Sequence, residues 1–219
     1  MWSSEVTNMI ITGIWETLYM TLVSTLVGYV IGLPMGIILT VSDKDGIKPN
    51  AVLYKILDVI ANIVRSVPFI ILLVLLIPFT RLVVGKSYGS TATIVPLVIA
   101  AAPYIARMVE SSLKQVDAGV IEAARSMGAS NFTIITKVML VEARTSLLVG
   151  ATITLGTILG YSAMSGAVGG GGLGAIAIRY GYTRWQTDIM IVTVILLIIL
   201  FQIFQTVGMK LADKFDHRK

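Results

Sequence analysis

Five stretches of this chain are long and apolar enough to cross a lipid bilayer, at about residues 14–41, 56–84, 91–109, 145–168 and 188–209. A membrane-crossing helix needs about 20 mostly apolar residues. Five of them leave room in 219 residues for loops and for no separate soluble domain. The runs lack the alternation of a barrel strand, and backbone groups inside hydrocarbon must be hydrogen-bonded within their own segment. The sequence therefore predicts an all-α polytopic membrane protein with five transmembrane helices, residues 1–219 forming a single transmembrane domain. Composition agrees: 56% of residues are hydrophobic and 13% charged, against about 45–50% and 25% for soluble domains.

Charge sets the expected orientation. Residues 1–41 hold no Lys or Arg, so the first span lacks the basic leader of a cleaved signal peptide and is expected to be retained. Lys44, Lys48, Lys55 and Arg65 follow it, and Arg107, Lys114, Arg125, Lys137 and Arg144 lie between spans three and four. Lys210, Lys214, Arg218 and Lys219 end the chain, and these groups together hold thirteen of the 17 basic residues. The positive-inside rule then puts the amino terminus outside and the carboxyl terminus in the cytoplasm. Because the net charge of +5 is dispersed between spans, no nucleic-acid partner is expected, and the bilayer is the solvent. Arg65 and Arg107, at span ends, are expected to snorkel to the interface.

Chemistry is excluded by what the chain lacks. There is no cysteine, and the lone His217 lies in the charged tail, so no metal or cofactor site and no catalytic residue is expected. The run Gly160-Tyr161-Ser162-Ala163-Met164 falls one glycine short of a nucleophile elbow and has no histidine to act as base. Gly169, Gly171 and Gly174 satisfy a dinucleotide fingerprint, with Asp188 where its ribose acid would stand. They follow a membrane span rather than a strand, so a turn or an external docking surface is the expected role. No Walker A sequence is present, and any ATP hydrolysis must occur on another chain.

Two helix faces stand out. Gly28, Gly32 and Gly36 recur every four residues in span one, around Pro34, and Gly156 and Gly160 repeat the spacing in span four. Small residues so spaced let backbones approach closely, within a subunit or across a dimer. Gly150, Thr154, Thr157, Tyr161 and Met164 share one face of span four. That face is a candidate pathway lining, with Met164 as a gate, or else a packing surface.

The loop from about 110 to 144 is patterned rather than linker-like. Asp117 suits the cap of a short helix reaching Met127, Gly128 the left-handed residue that ends it, and Ser130 the cap of a second helix. Residues 122–143 read EAARSMGASNFTIITKVMLVEA. This resembles the EAA loop of ABC importer permeases, with Glu122, Ala123, Ala124, Gly128, Val138 and Leu140 on the pattern and Val141 where the family usually has Pro. Arg65–Phe69, Ala101–Arg107, Gly160–Val168 and Gly169–Gly174 are similar to the methionine-type subfamily.

The resemblance implies the type I permease fold in the cell inner membrane and a homodimer of five-span subunits. It also implies two cytoplasmic ATPases that carry the ATP and Mg, and an external substrate-binding lipoprotein. The expected substrate is an amino acid, methionine before others. Glu122, Ala123, Ala124, Arg125, Gly128, Val138 and Leu140 would form the ATPase-coupling element. The rival readings are a permease for another amino acid or related small solute, and an ATP-independent secondary transporter. The second is disfavoured by the absence of inverted repeats and of a mid-span acid.

Overall fold

The computed structural model describes residues 4–215, which excludes His217, and the described residues contain helices and no strand. In chain order the α-helices are α1 (Ser4–Ser42), α2 (Ala51–Ser66), α3 (Phe69–Leu75), α4 (Ile77–Val84), α5 (Ser90–Leu113) and α6 (Ala118–Ser126). There follow α7 (Asn131–Thr133), α8 (Leu140–Glu142), α9 (Arg144–Ser165), α10 (Gly172–Ile176) and α11 (Thr187–Lys214). Two π-helical turns interrupt them, Ile134–Met139 between α7 and α8 and Ala177–Tyr182 after α10.

Four stretches, Ser4–Ser42, Ser90–Leu113, Arg144–Tyr182 and Thr187–Lys214, are long and apolar enough to cross a membrane. A fifth crossing requires the bent pair α2 and α3, whose axes differ by 101°. The segment read from sequence as one run, 56–84, is thus divided among α2, α3 and α4. The bend falls at Val67, the extended residue before Pro68, where a following proline disfavours helical backbone.

Helix α5 is the centre. More than half of its apolar window is buried, 56%, against 11% for α11, which the rest of the chain leaves largely uncovered. Leu97, Ala101, Ile105 and Val109 of α5 form one core with Met20 of α1, Phe69 and Leu72 of α3, and Ile158 of α9. The glycine stripe of α1 is what permits this. A Cβ on Gly32 would lie 2.5 Å from the Ala102 carbonyl oxygen, and one on Gly36 would lie 2.5 Å from that of Ala106. Of the two uses the spacing allowed, the α1 stripe serves packing within the subunit.

Candidate functional site

The segment between α5 and α9 is a capped helix, a sharp turn and a second helix. The Asp117 carboxylate accepts from the Gly119 amide at 2.8 Å and starts α6. Gly128 takes φ +81, its amide donating to the Arg125 carbonyl at 2.9 Å while that of Ala129 donates to Ala124 at 3.1 Å, so the last carbonyls of α6 are satisfied. Ser130 then caps α7, accepting from the Thr133 amide at 3.2 Å. The helix continues as a π-turn through Ile134–Met139, with Ile134 and Met139 buried. Val141 is exposed, and Ala143 separates α8 from α9 without a proline.

The seven candidate coupling residues do not share one surface. Glu122, Ala123, Arg125 and Gly128 are exposed, whereas Ala124 is buried in the core with Ile134, Met139 and Ala143. Val138 and Leu140 are half-buried against the same core. Helical spacing turns Ala123 outward and Ala124 inward. Arg125 donates to the Ile47 carbonyl at 3.1 Å, tying α6 to the α1–α2 loop. Sequence reasoning missed Met127 and Phe132, which flank the turn at 81% and 76% exposure. Two large apolar side chains beside a glycine in a charged loop were the available signal.

Behind this surface lies a charge network. Arg107 pairs with Asp58 of α2 and with Glu110 at 2.7 Å, and bonds Asn62 at 2.9 Å. Lys114 contacts Glu110 at 2.8 Å and Asp43, just past α1, at 2.7 Å. The Tyr54 hydroxyl adds a bond to Glu110 at 3.3 Å. The Lys114 ammonium holds the Asp43 carboxyl below its ordinary range, and Lys114, despite the opposing effect of desolvation, is raised by its bonds to Asp43 and Glu110. Arg107 fastens α2 to α5. Arg65, in the last turn of α2, is exposed.

The polar face of α9 divides. Thr154 is fully buried and donates to the Gly150 carbonyl at 2.8 Å. Thr157, half-buried, donates to Ile153 at 3.0 Å and lies 3.5 Å from the Tyr104 hydroxyl. The Tyr161 ring stacks on Phe69 with centroids 4.5 Å apart and planes 2° from parallel. Only Met164, at the far end, is open, at 51% exposure. Gly160, with nothing within 4 Å of a built Cβ, and the exposed Ile153 belong to the open side and carried no polar signal in the sequence.

The glycine-rich segment is not a free turn. The Gly172 amide donates to the Glu16 carboxylate at 2.7 Å, and the Leu173 amide to the Thr17 hydroxyl at 2.9 Å. A carboxylate of α1 thus occupies the place a phosphate would take in a dinucleotide fingerprint. The Gly89 amide donates to the Gly169 carbonyl at 2.8 Å, fixing the segment to the start of α5. Among the described residues no group of His, Cys, Asp or Glu converges as a metal site would require.

Residues 28–218 match the model of the binding-protein-dependent transport system inner membrane component family. The probable D-methionine transport system permease protein MetI of Vibrio cholerae is 48% identical over 217 residues, 99% of this chain and 96% of that protein. The D-methionine transport system permease protein MetI of Escherichia coli K12 is 51% identical over 158 residues, covering 72% of this chain and 73% of its own. Among solved structures, an inward-facing conformation of the MetNI methionine ABC transporter superposes with a TM-score of 0.97 at 49% identity, covering 99% of this chain and 100% of that one. An amino acid ABC transporter crystallised with histidines has a TM-score of 0.73 at 22% identity, covering 98% and 96%, and shares the fold.

Proposed function

Because this chain belongs to the binding-protein-dependent transport system inner membrane components, we propose that it forms, with a second copy of itself, the pathway of an ATP-driven methionine importer. It is a permease subunit and not an enzyme. ATP and Mg are held by two cytoplasmic ATPase subunits, and an external substrate-binding lipoprotein delivers the amino acid. Residues 1–219 act as one transmembrane unit with the amino terminus outside and the carboxyl terminus in the cytoplasm. Methionine as substrate is supported by relatives near 50% identity that carry that name.

The observation that carries the coupling reading is the capped α6 and its Gly128 turn, which present Ala123, Met127 and Phe132 to solvent. Exposed apolar side chains on a rigid knob suit insertion into a partner's groove, where buried anchors supply most of the binding energy. A push on α6 reaches the α1–α2 loop through Arg125 and, by way of α5, the end of α1 through Lys114 and α2 through Arg107. A partner moves such an element only by binding its two positions unequally. At the other end, Thr154, Thr157 and Tyr161 support α9 while Met164, flexible and polarizable, closes against its copy.

The test is Met127→Glu with Phe132→Glu, which removes the apolar contacts from solvent-exposed positions. Insertion should be unchanged, while ATPase recovered with the permease and methionine uptake in vesicles both fall about tenfold or more, as loss of interface anchors implies. Undiminished recovery and uptake would defeat the reading. Methionine uptake competed by other amino acids checks the substrate. Met164→Cys should crosslink between copies in the closed state, and an impermeant thiol reagent should label Ser4→Cys but not Lys214→Cys on intact cells.

A further inference from the structure

We propose that the groove between α1, α9 and the end of α11 is a site for an anionic phospholipid, its phosphate on Arg144 and one acyl chain along the groove. The groove has a volume of about 460 Å³, with Leu147, Leu148 and Ala151 of α9 as its floor, Leu33 of α1 as a wall, and Arg144 and Phe215 at its mouth. All are aliphatic or aromatic except Arg144. The mouth is built. The guanidinium lies over the Phe215 ring, 5.9 Å from its centroid, and the Thr145 hydroxyl donates to the Phe215 carbonyl at 3.3 Å, holding the end of α11 beside the start of α9.

Three observations choose the occupant. First, Phe215 of the groove ends α11, whose Ile199, Ile203, Val207 and Leu211 are exposed, an apolar surface that suits hydrocarbon. Secondly, Arg144 to Ala151 spans about 10 Å of helix, most of the depth of one leaflet in a core about 30 Å thick. Thirdly, Arg144 is the one cation among the described residues that line the recess, and a guanidinium there meets a phosphate through paired N–H donors. Lys210 and Lys214 add positive charge on the last turns of α11, offset in part by Asp213 and by Glu142 before Arg144. The topology proposed above puts this mouth on the cytoplasmic leaflet; the site itself does not depend on it.

The experiment measures the thermal unfolding midpoint of the intact transporter in nanodiscs of phosphatidylcholine alone and with one fifth phosphatidylglycerol. The anionic lipid should raise the wild-type midpoint by about 3 °C or more through preferential binding to the folded state. Arg144→Gln should lose most of that rise, Arg144→Lys should keep part of it, and Ala151→Trp, which fills the groove, should lose it with the charge intact. Phosphatidylglycerol should also remain bound to the wild type, but not to Arg144→Gln, on delipidation followed by mass spectrometry. Equal lipid-induced rises in wild type and Arg144→Gln would overturn the site in favour of a general surface effect. The same rise from inorganic phosphate in detergent would assign Arg144 to free anions. A Leu148→Cys crosslink between two copies would make the groove a subunit interface and end the proposal.

Discussion

Two helices carry the same four-residue spacing of glycines, and they use it differently. On α1, Gly28, Gly32 and Gly36 are all buried, each at a point where a methyl group would meet α5 within 3.0 Å. On α9, a Cβ at Gly156 would lie 2.6 Å from the Phe201 ring of α11, while Gly160 one turn on faces open space. Gly32 and Gly36 of α1 meet backbone, which cannot yield, and Gly28 meets the Ala101 Cβ, which is fixed to it; Gly156 meets the edge of a ring, which can tilt; Gly160 meets nothing in this chain. A spacing of small residues therefore reports that a helix can be approached, and the opposing helix decides whether it is.

Four substitutions test that contrast. Gly36→Leu should have the largest effect, because its Cβ would press on the Ala106 carbonyl and on Val109. A loss above about 3 kcal/mol is expected, the upper range for overpacking, seen as little folded protein recovered in detergent; normal recovery would break the account of the α1–α5 seam. Gly128→Val comes next and separates conformation from contact, since φ is +81 and nothing lies within 4 Å. A cost of about 1–2 kcal/mol follows from the left-handed backbone, with ATPase association falling while membrane insertion stays intact.

Gly156→Ala should cost about 1 kcal/mol or less, since the Phe201 ring can move aside; a loss as large as that of Gly36→Leu would mean the ring is locked. Gly160→Ala should leave thermal stability unchanged or raise it by up to about 1 kcal/mol, since alanine favours helix over glycine. The same variant sharpens the comparison through uptake. If stability holds and transport falls, the open side of α9 is used by the pathway or the second copy.

Legibility followed the range of the interactions. The all-α class, the apolar runs and the caps at Asp117, Gly128 and Ser130 were legible because each depends on composition or on neighbours within a few residues. The bend between α2 and α3 was half legible: Pro68 was in plain view, but a proline states where a helix breaks and not that the axis turns by 101°. The pairing of Arg107 was not legible because its partners Asp58 and Asn62 lie 49 and 45 residues away. The burial of Ala124 was not legible because the core it joins, with Ile134 and Met139, is assembled only after the chain turns at Gly128.

The glycine-rich segment illustrates the same limit. Its pattern of glycines could hold an anion, and it does, but the anion is the carboxylate of Glu16, 156 residues earlier in the chain. By itself the sequence determined that this chain lives in lipid, that its spans are helical and that the loop between α5 and α9 turns at one glycine, since hydrocarbon forces backbone bonds to be local. Which faces of those helices meet was decided by tertiary structure alone. Lipid gives no hydrophobic preference between one apolar face and another, so shape and buried polar bonds between distant residues make the choice.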